Sequence, residues 1–154
     1  MDKTINQIKK ELNEIATQHR QLNDFFFGDF IDAISQDVIN YPLMVATIQP
    51  GSMTEKSIFV NLQIIICDKY NESDYSQIDE IHSDCLSVCN DIRITMKQNR
   101  FEDYLSIDGS VSTDPFINRG QDMTAGWTMN LSLEVFDSLD WCAIPYTTYD
   151  FGND

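Results

Sequence analysis

Apolar positions recur with helical spacing near the start of the chain, at residues 3–20. Ile5, Ile8, Leu12 and Ile15 lie three or four residues apart, and Lys, Glu, Asn and Gln fill most positions between them. This spacing predicts an amphipathic helix. Its apolar stripe is narrow, so we expect the helix to lie on the surface of the fold rather than inside it.

Alternation with a period of two dominates residues 57–68. Every even position from Ile58 to Ile66 carries a branched aliphatic side chain, and the odd positions mix apolar residues with Asn61 and Gln63. This pattern predicts a strand with one face in the core and the other face half covered.

Residues 43–48 form a second extended segment just before this strand. It opens after Pro42, and the dipeptide Pro50-Gly51 follows it. Because Pro-Gly is a strong turn signal, we predict a turn there that joins the two strands. The preceding residues 21–40 fit either a short helix or an irregular arm.

Helical spacing returns after the polar stretch NESDYS and continues to about residue 98. Ser73 or Asp74 is a suitable N-cap residue, and Lys97 and Arg100 suit the negative end of the helix dipole. The predicted buried face consists of Ile78, Ile81, Cys85, Val88, Ile92 and Met96, widened by Leu86 and Cys89.

The remaining chain alternates again. Residues 105–111 place Leu105, Ile107 and Val111 against polar neighbours, and residues 126–136 alternate most regularly. Both segments are predicted strands. Residues 113–125 between them are predicted to form a long loop.

Together these elements predict an α+β fold in a single domain of 154 residues. We expect one four-stranded, largely antiparallel sheet, with the long helix and the N-terminal helix packed on one face. The predicted parts are an N-terminal helix (3–20), an aromatic arm (21–40), an α+β core (41–146) and an acidic tail (147–154).

Charge narrows the possible functions. The net charge is −15, and neither residues 21–55 nor residues 134–154 contain any Lys or Arg. Such a surface repels phosphates, so we do not expect the protein to bind DNA by neutralising its backbone. The sequence contains no run of 18 apolar residues, so we expect no membrane span. The N-terminus lacks an apolar signal core, so we expect no secretion.

Three residues could in principle bind zinc. His82, Cys85 and Cys89 share one face of the predicted long helix. A fourth ligand is not evident, and Cys85 also belongs to the apolar stripe. Without a secretion signal, the four cysteines (Cys67, Cys85, Cys89 and Cys142) are expected to be reduced thiols, and we favour buried thiols over a metal site.

Carboxylates offer two further candidates. Asp29 and Asp32 form one pair, and Asp137 and Asp140 form another, but neither pair has a neighbour with a defined catalytic role. We interpret them as turn and surface residues. His19 and His82 do not accompany a recognisable nucleophile motif, so we predict no enzyme activity and no cofactor.

The order of motifs resembles that of small virion proteins of tailed phages. Phe27-Gly28-Asp29, then Tyr41-Pro42-Leu43, the apolar strand, the long helix, Gly126-Trp127 and the stretch from Cys142 to Pro145 are similar to tail-terminator, tail-completion or neck-ring proteins, including those of crAss-like and other Bacteroidetes phages.

This resemblance implies a structural protein that forms a six- or twelvefold ring in the neck or tail. Such a ring joins portal or connector to tail, and genomic DNA passes through its lumen without sequence-specific binding. The protein would be made in the bacterial cytoplasm and end in the virion. The expected subunit-interface residues are Phe25, Phe26, Phe116, Arg119, Trp141 and Tyr146, and Phe27 and Phe30 are expected to hold the turn on the sheet.

The acidic composition leaves a different class open. An acidic protein can imitate DNA and inhibit a nucleic-acid enzyme of the host, which is the alternative to a ring protein. A small metal enzyme that uses His82, Cys85 and Cys89 is a third hypothesis.

Overall fold

The fold is built on one mixed sheet. A computed structural model describes residues 5–97, 105–107, 111–118 and 123–136. The elements along the chain are α1 (Ile5–Gln18), β1 (Asp24–Phe27), α2 (Phe30–Ile34), β2 (Leu43–Met53), β3 (Ser57–Lys69), α3 (Ser76–Lys97), β4 (Leu105–Ile107), β5 (Ser112–Asn118) and β6 (Thr124–Phe136).

The strands lie in the order β1-β2-β3-β6, and β4 and β5 follow one another along the outer side of β6. Among the strands that the structure describes, only β1 and β2 run parallel to each other, and the other pairs are antiparallel. The predicted α+β class and single sheet are confirmed. The predicted four strands are too few, because the sequence pattern did not reveal β1 and β5.

One face of the sheet carries the main core. The even positions of β3 point to it, together with the odd positions of β6, as their alternation predicts. The apolar stripes of α1 and α3 cover this face, and Leu12, Ile64 and Ile92 are fully buried. Packing of both helices on the same side agrees with the sequence prediction.

The opposite face carries a smaller core. Leu43, Val45, Ile65 and Cys67 are buried there beneath Ala33 of α2. This cluster explains why the odd positions of β3 include both apolar and polar residues. Ile65 and Cys67 are buried in the smaller core, whereas Asn61 and Gln63 lie beyond it and are half-buried. The cluster also corrects the expectation of helices on one face alone, since the short helix α2 lies on the second face.

The strand β2 continues through Pro50 and Gly51, where we predicted a turn. The chain turns later, at residues 54–56, and the pairing of β2 with β3 shifts between Gln49 and Ser52. An irregularity of this kind accommodates a proline, which cannot donate a ladder hydrogen bond. The side chain of Asn61 donates to the carbonyl oxygen of Pro50 at 2.6 Å.

The predicted loop 113–125 is also wrong. Residues 112–118 form β5, which pairs with β6 from Asn130 to Thr124. Four consecutive residues of β5 are exposed, so it lacks the apolar alternation by which a strand is recognised. Pro115 is tolerated because β5 lies at the edge of the described sheet.

The two long helices are joined by polar contacts as well as by the core. His19 Nε2, just after α1, lies 2.9 Å from Asp91 Oδ2 on α3. Before α3, Asp74 Oδ1 accepts the backbone N–H of Ser76, in agreement with Asp74 as one of the two predicted capping residues. Cys89 is buried as predicted, whereas Leu86 is exposed, so the buried face of α3 is narrower than expected.

Within the described parts of the chain, no helix is both long and apolar enough to cross a membrane.

The backbone of β3 approaches Gly126 of β6 closely. A Cβ atom on this residue would overlap the carbonyl oxygen of Ile66 and would come within 2.8 Å of the Cα of Cys67. Both neighbours are backbone atoms of the central strand, so they cannot turn aside as a side chain can.

We therefore predict that Gly126→Ala lowers the free energy of unfolding by about 1–3 kcal/mol, the usual cost of overpacking. Urea denaturation monitored by circular dichroism would measure it. Ser87→Ala on the exposed side of α3 is the control, and it should change stability by less than about 0.5 kcal/mol. Equal stability of the two variants would contradict the close approach.

Candidate subunit interface

The aromatic arm of the sequence forms an edge strand. In β1, Asp24–Phe27 pair with Leu43–Ala46 of β2, and among the described residues no strand pairs with the outer side of β1. Asp24 fixes the arm, because its carboxylate accepts the backbone N–H groups of Phe25 at 2.9 Å and Asn40 at 3.2 Å. Within the described part of the chain, β1 therefore has an unpaired outer edge.

The phenylalanine rings alternate between the two faces of the sheet. Phe25 and Phe27 pack against the main core, whereas Phe26 and Phe30 pack against the smaller one. Phe27 and Phe30 hold the arm on the sheet as predicted, but Phe25 and Phe26 also contact their own chain. All four side chains are half-buried, so part of each ring still faces outward.

The Gly28-Asp29 dipeptide ends β1 and starts α2. Gly28 has a φ of +152°, which L side chains rarely adopt, so it supplies the predicted backbone freedom. Its N–H donates to Ala46 and its carbonyl accepts from the Thr47 hydroxyl at 2.6 Å. Asp29 occupies the N-cap position of α2, but its side chain makes no capping hydrogen bond, which corrects the predicted local cap.

A groove runs between α1 and the outer edge of β1. Its volume is about 470 Å³, and one wall is formed by the side chains of Phe25, Phe26 and Phe27. The other wall is polar and includes Lys9 and Lys10, and the Lys9 ammonium lies 5.8 Å from the centre of the Phe27 ring. Sequence reasoning did not assign a role to these lysines. The available signal was two adjacent cations on one helix of a strongly acidic chain.

Phe116 lies on β5, at the opposite edge of the sheet. Its ring packs edge-on against Phe30, with 6.0 Å between ring centres, and it is half-buried on the smaller core. Phe116 and Phe26 therefore pack on the same smaller core, whereas Phe25 packs on the other face of the sheet. The structure places β1 and β5 level with one another on opposite edges, because the register aligns Asp24, Leu43, Cys67, Gly126 and Phe116 in one row.

The other predicted interface residues, Arg119, Trp141 and Tyr146, lie outside the described residues, as do Cys142, Asp137 and Asp140.

The candidate zinc residues are engaged in other contacts. His82 Nε2 lies 3.1 Å from the carbonyl oxygen of Phe116, and the carbonyl of His82 accepts the indole N–H of Trp127 at 2.7 Å. These bonds join α3 to both strands of the β5–β6 hairpin. In the part of the chain that the structure describes, no group of three or more His, Cys, Asp or Glu side chains could hold a metal ion.

The described thiols favour their neutral form. Burial raises the pKa of Cys85 to about 12, with further contributions from Asp68, Cys89 and Asp84, and burial raises the pKa of Cys89 to about 12. Burial also raises the pKa of Cys67. A nucleophilic cysteine needs a lowered pKa, so these three residues behave as small apolar side chains.

A smaller cavity of about 280 Å³ lies between α3 and the start of β2. Arg20, Asp68, Asp84 and Cys85 are among its lining residues. Burial raises the pKa of Asp68, and the neighbouring Asp84 raises it further, while a hydrogen bond from the Lys69 N–H lowers it. The cavity contains charged groups, but its thiol is protonated near neutral pH and cannot act as a nucleophile.

The described acids are concentrated near α3. Residues 70–92 contain six acids and no Lys or Arg. Five of the acids lie before the middle of α3 and are exposed: Glu72, Asp74, Asp79, Glu80 and Asp84. This surface should repel the DNA backbone, since it offers no cation to replace the counterions of the phosphates.

Comparison of the sequence with protein-family models and with curated proteins gives no match.

The buried thiols predict a dependence of stability on pH. Because the folded chain raises the pKa of Cys85 and Cys89 from 9.0 to about 12, the protonated thiols contribute stability that is complete below pH 9.0 and lost as pH rises toward 12. We expect the free energy of unfolding in urea to fall across this window. Cys89→Ala should make the fall shallower, and an unchanged slope would contradict the assignment.

Proposed function

We propose that this protein is a ring-forming structural component of the neck or tail of a tailed phage. The resemblance of its motifs motivates the proposal, and the arrangement of the sheet supports it. Copies would associate head to tail around an axis, adjacent to portal, connector or tail rings. DNA would pass through the lumen.

The observation that carries this proposal is the pair of unlike edges of the sheet. One edge is β1 with its half-buried phenylalanine rings, and the other is β5 with Phe116. A ring needs a heterologous contact, in which one surface of a subunit meets a different surface of the next. The two edges are level, and β5 runs opposite to β1, so one edge can face the other in the next copy.

The acidic surface fits such a ring. A channel for DNA should not retain the DNA, and the exposed acids near α3 provide a surface to which phosphates do not bind. The acids also suit a DNA-mimicking inhibitor. The edge arrangement favours the ring, because an inhibitor that acts as a monomer does not need two edges that can face each other in neighbouring copies.

The contact between edges can be tested with one pair of variants. Ile117 on β5 is 39% exposed, and Ile94 on α3 is 43% exposed, so their replacement by lysine costs similar burial. A charged side chain at a sheet edge opposes association with another edge. We predict that Ile117→Lys converts the oligomer to monomer, while Ile94→Lys leaves it intact, as measured by sedimentation velocity at micromolar concentration.

Circular dichroism should show that both variants are folded. An oligomer of unchanged mass for Ile117→Lys would exclude the β5 edge from the contact. A wild-type protein that sediments only as a monomer, both alone and with portal or tail proteins, would contradict the ring. Salt-sensitive binding to a basic host protein would then favour the inhibitor.

A further inference from the structure

We propose that the acidic, aromatic segment 146–154 of one copy binds in the groove between α1 and β1 of the next copy, where it adds a strand to β1. The proposal rests on the head-to-tail arrangement described above and names the element that completes the contact. It assigns a role to Lys9 and Lys10, of which Lys9 also lies over the Phe27 ring of its own chain.

The groove has the properties of a strand-binding site. An extended segment can add to an exposed sheet edge through main-chain hydrogen bonds, while its side chains alternate between the two faces. On one side of β1 the segment would meet Lys9 and Lys10 of α1, and on the other side it would meet the ring of Phe26. The site therefore has two lysines beside Phe25 and Phe27 on one face, and Phe26 without a lysine on the other.

The sequence of the segment matches these two faces. Thr147, Thr148, Tyr149 and Phe151 favour extended structure. In a strand, Tyr149 and Phe151 point to one side and Asp150 to the other. Asp150 can then reach the lysines while the two aromatic rings lie beside Phe26. The segment contains two acids, Asp150 and Asp154, and no Lys or Arg, so its charge complements the two lysines.

The position at which β6 ends leaves enough chain for the segment to reach the level of β1. Phe136 is paired with Ser57, whereas β1 is level with residues 64–67 of β3. The chain must therefore return seven to ten residues, or about 23–33 Å, along the sheet. A chain that reverses after Phe136 reaches the level of β1 at about residue 146 and runs antiparallel to it.

The next copy is easier to reach than the groove of the same chain. Phe136 lies one strand from the edge formed by β4 and β5, which faces the neighbouring β1 in the head-to-tail arrangement. To reach its own β1, the segment would have to cross β3 and β2, about 14 Å away, over a face already covered by helices.

Carbodiimide coupling of mixed isotopic forms tests the contact directly. The full-length protein is prepared with ¹⁴N and with ¹⁵N, mixed, reassembled and treated with a carbodiimide, which joins an amine to a nearby carboxylate. Mass spectrometry should find Lys9 or Lys10 joined to Asp150 or Asp154, with mixed labels in the joined peptides. Joined peptides with a single label only, or none, would overturn the proposal.

A peptide of residues 145–154 provides an independent test. The receptor is the full-length double variant Tyr149→Ser and Phe151→Ser, whose own segment should bind poorly. We expect saturable binding of the fluorescent peptide by anisotropy, weakened at least tenfold by Lys9→Glu with Lys10→Glu. Lys56→Glu with Lys97→Glu changes the net charge equally at two exposed sites away from the groove and should leave binding unchanged.

The outcomes separate this inference from the proposed function. A discrete oligomer that yields no coupling between the lysines and the segment would sink the inference and leave the ring standing. Peptide binding that responds equally to both lysine pairs would also overturn it, since general charge attraction would then explain the binding. A monomeric protein that binds the peptide specifically would support the groove and contradict the ring.

Discussion

The structure depends on the antiparallel pairing of β3 with β6. This ladder extends from Ser57 opposite Phe136 to Lys69 opposite Thr124, and it fixes the faces of both strands. Since side chains alternate along a strand, a shift of β6 by one residue would turn its buried set, which includes Met129 and Leu131, away from the main core. The close approach at Gly126 makes such a shift still less favourable, because most registers would place a bulkier residue against the backbone of Ile66.

This register also connects the core to the proposed function. It aligns β1 and β5 on opposite edges at the same level, and it places the end of β6 far along the sheet from both. The positions of the two unlike edges, and of the point at which the acidic chain leaves β6, then follow from one arrangement of strands. A ring contact that uses them needs no change in the core.

The sequence predicted those elements whose apolar side chains are buried with a regular period. The helices α1 and α3 and the strands β3 and β6 have such patterns, and they were found close to their observed bounds. It did not predict β1 or β5, because edge strands are only partly covered. The three consecutive phenylalanines of β1 are all half-buried, so they show no alternation of apolar and polar residues. The exposed residues up to Pro115 in β5 have the polar pattern of a loop. Pro50 was interpreted as part of a turn, whereas β2 continues through it where the pairing with β3 shifts.

The sequence suggested Phe25, Phe26 and Phe116 as interface residues, but it could not show that β1 and β5 lie on opposite edges of the described sheet, because that depends on long-range pairing. The groove lysines were likewise visible only once α1 was placed beside β1. The most direct test of the ring is electron microscopy of the purified full-length protein. Class averages with six- or twelvefold symmetry are the predicted result. Particles of monomer size, or dimers with twofold symmetry, would contradict the head-to-tail contact between unlike edges.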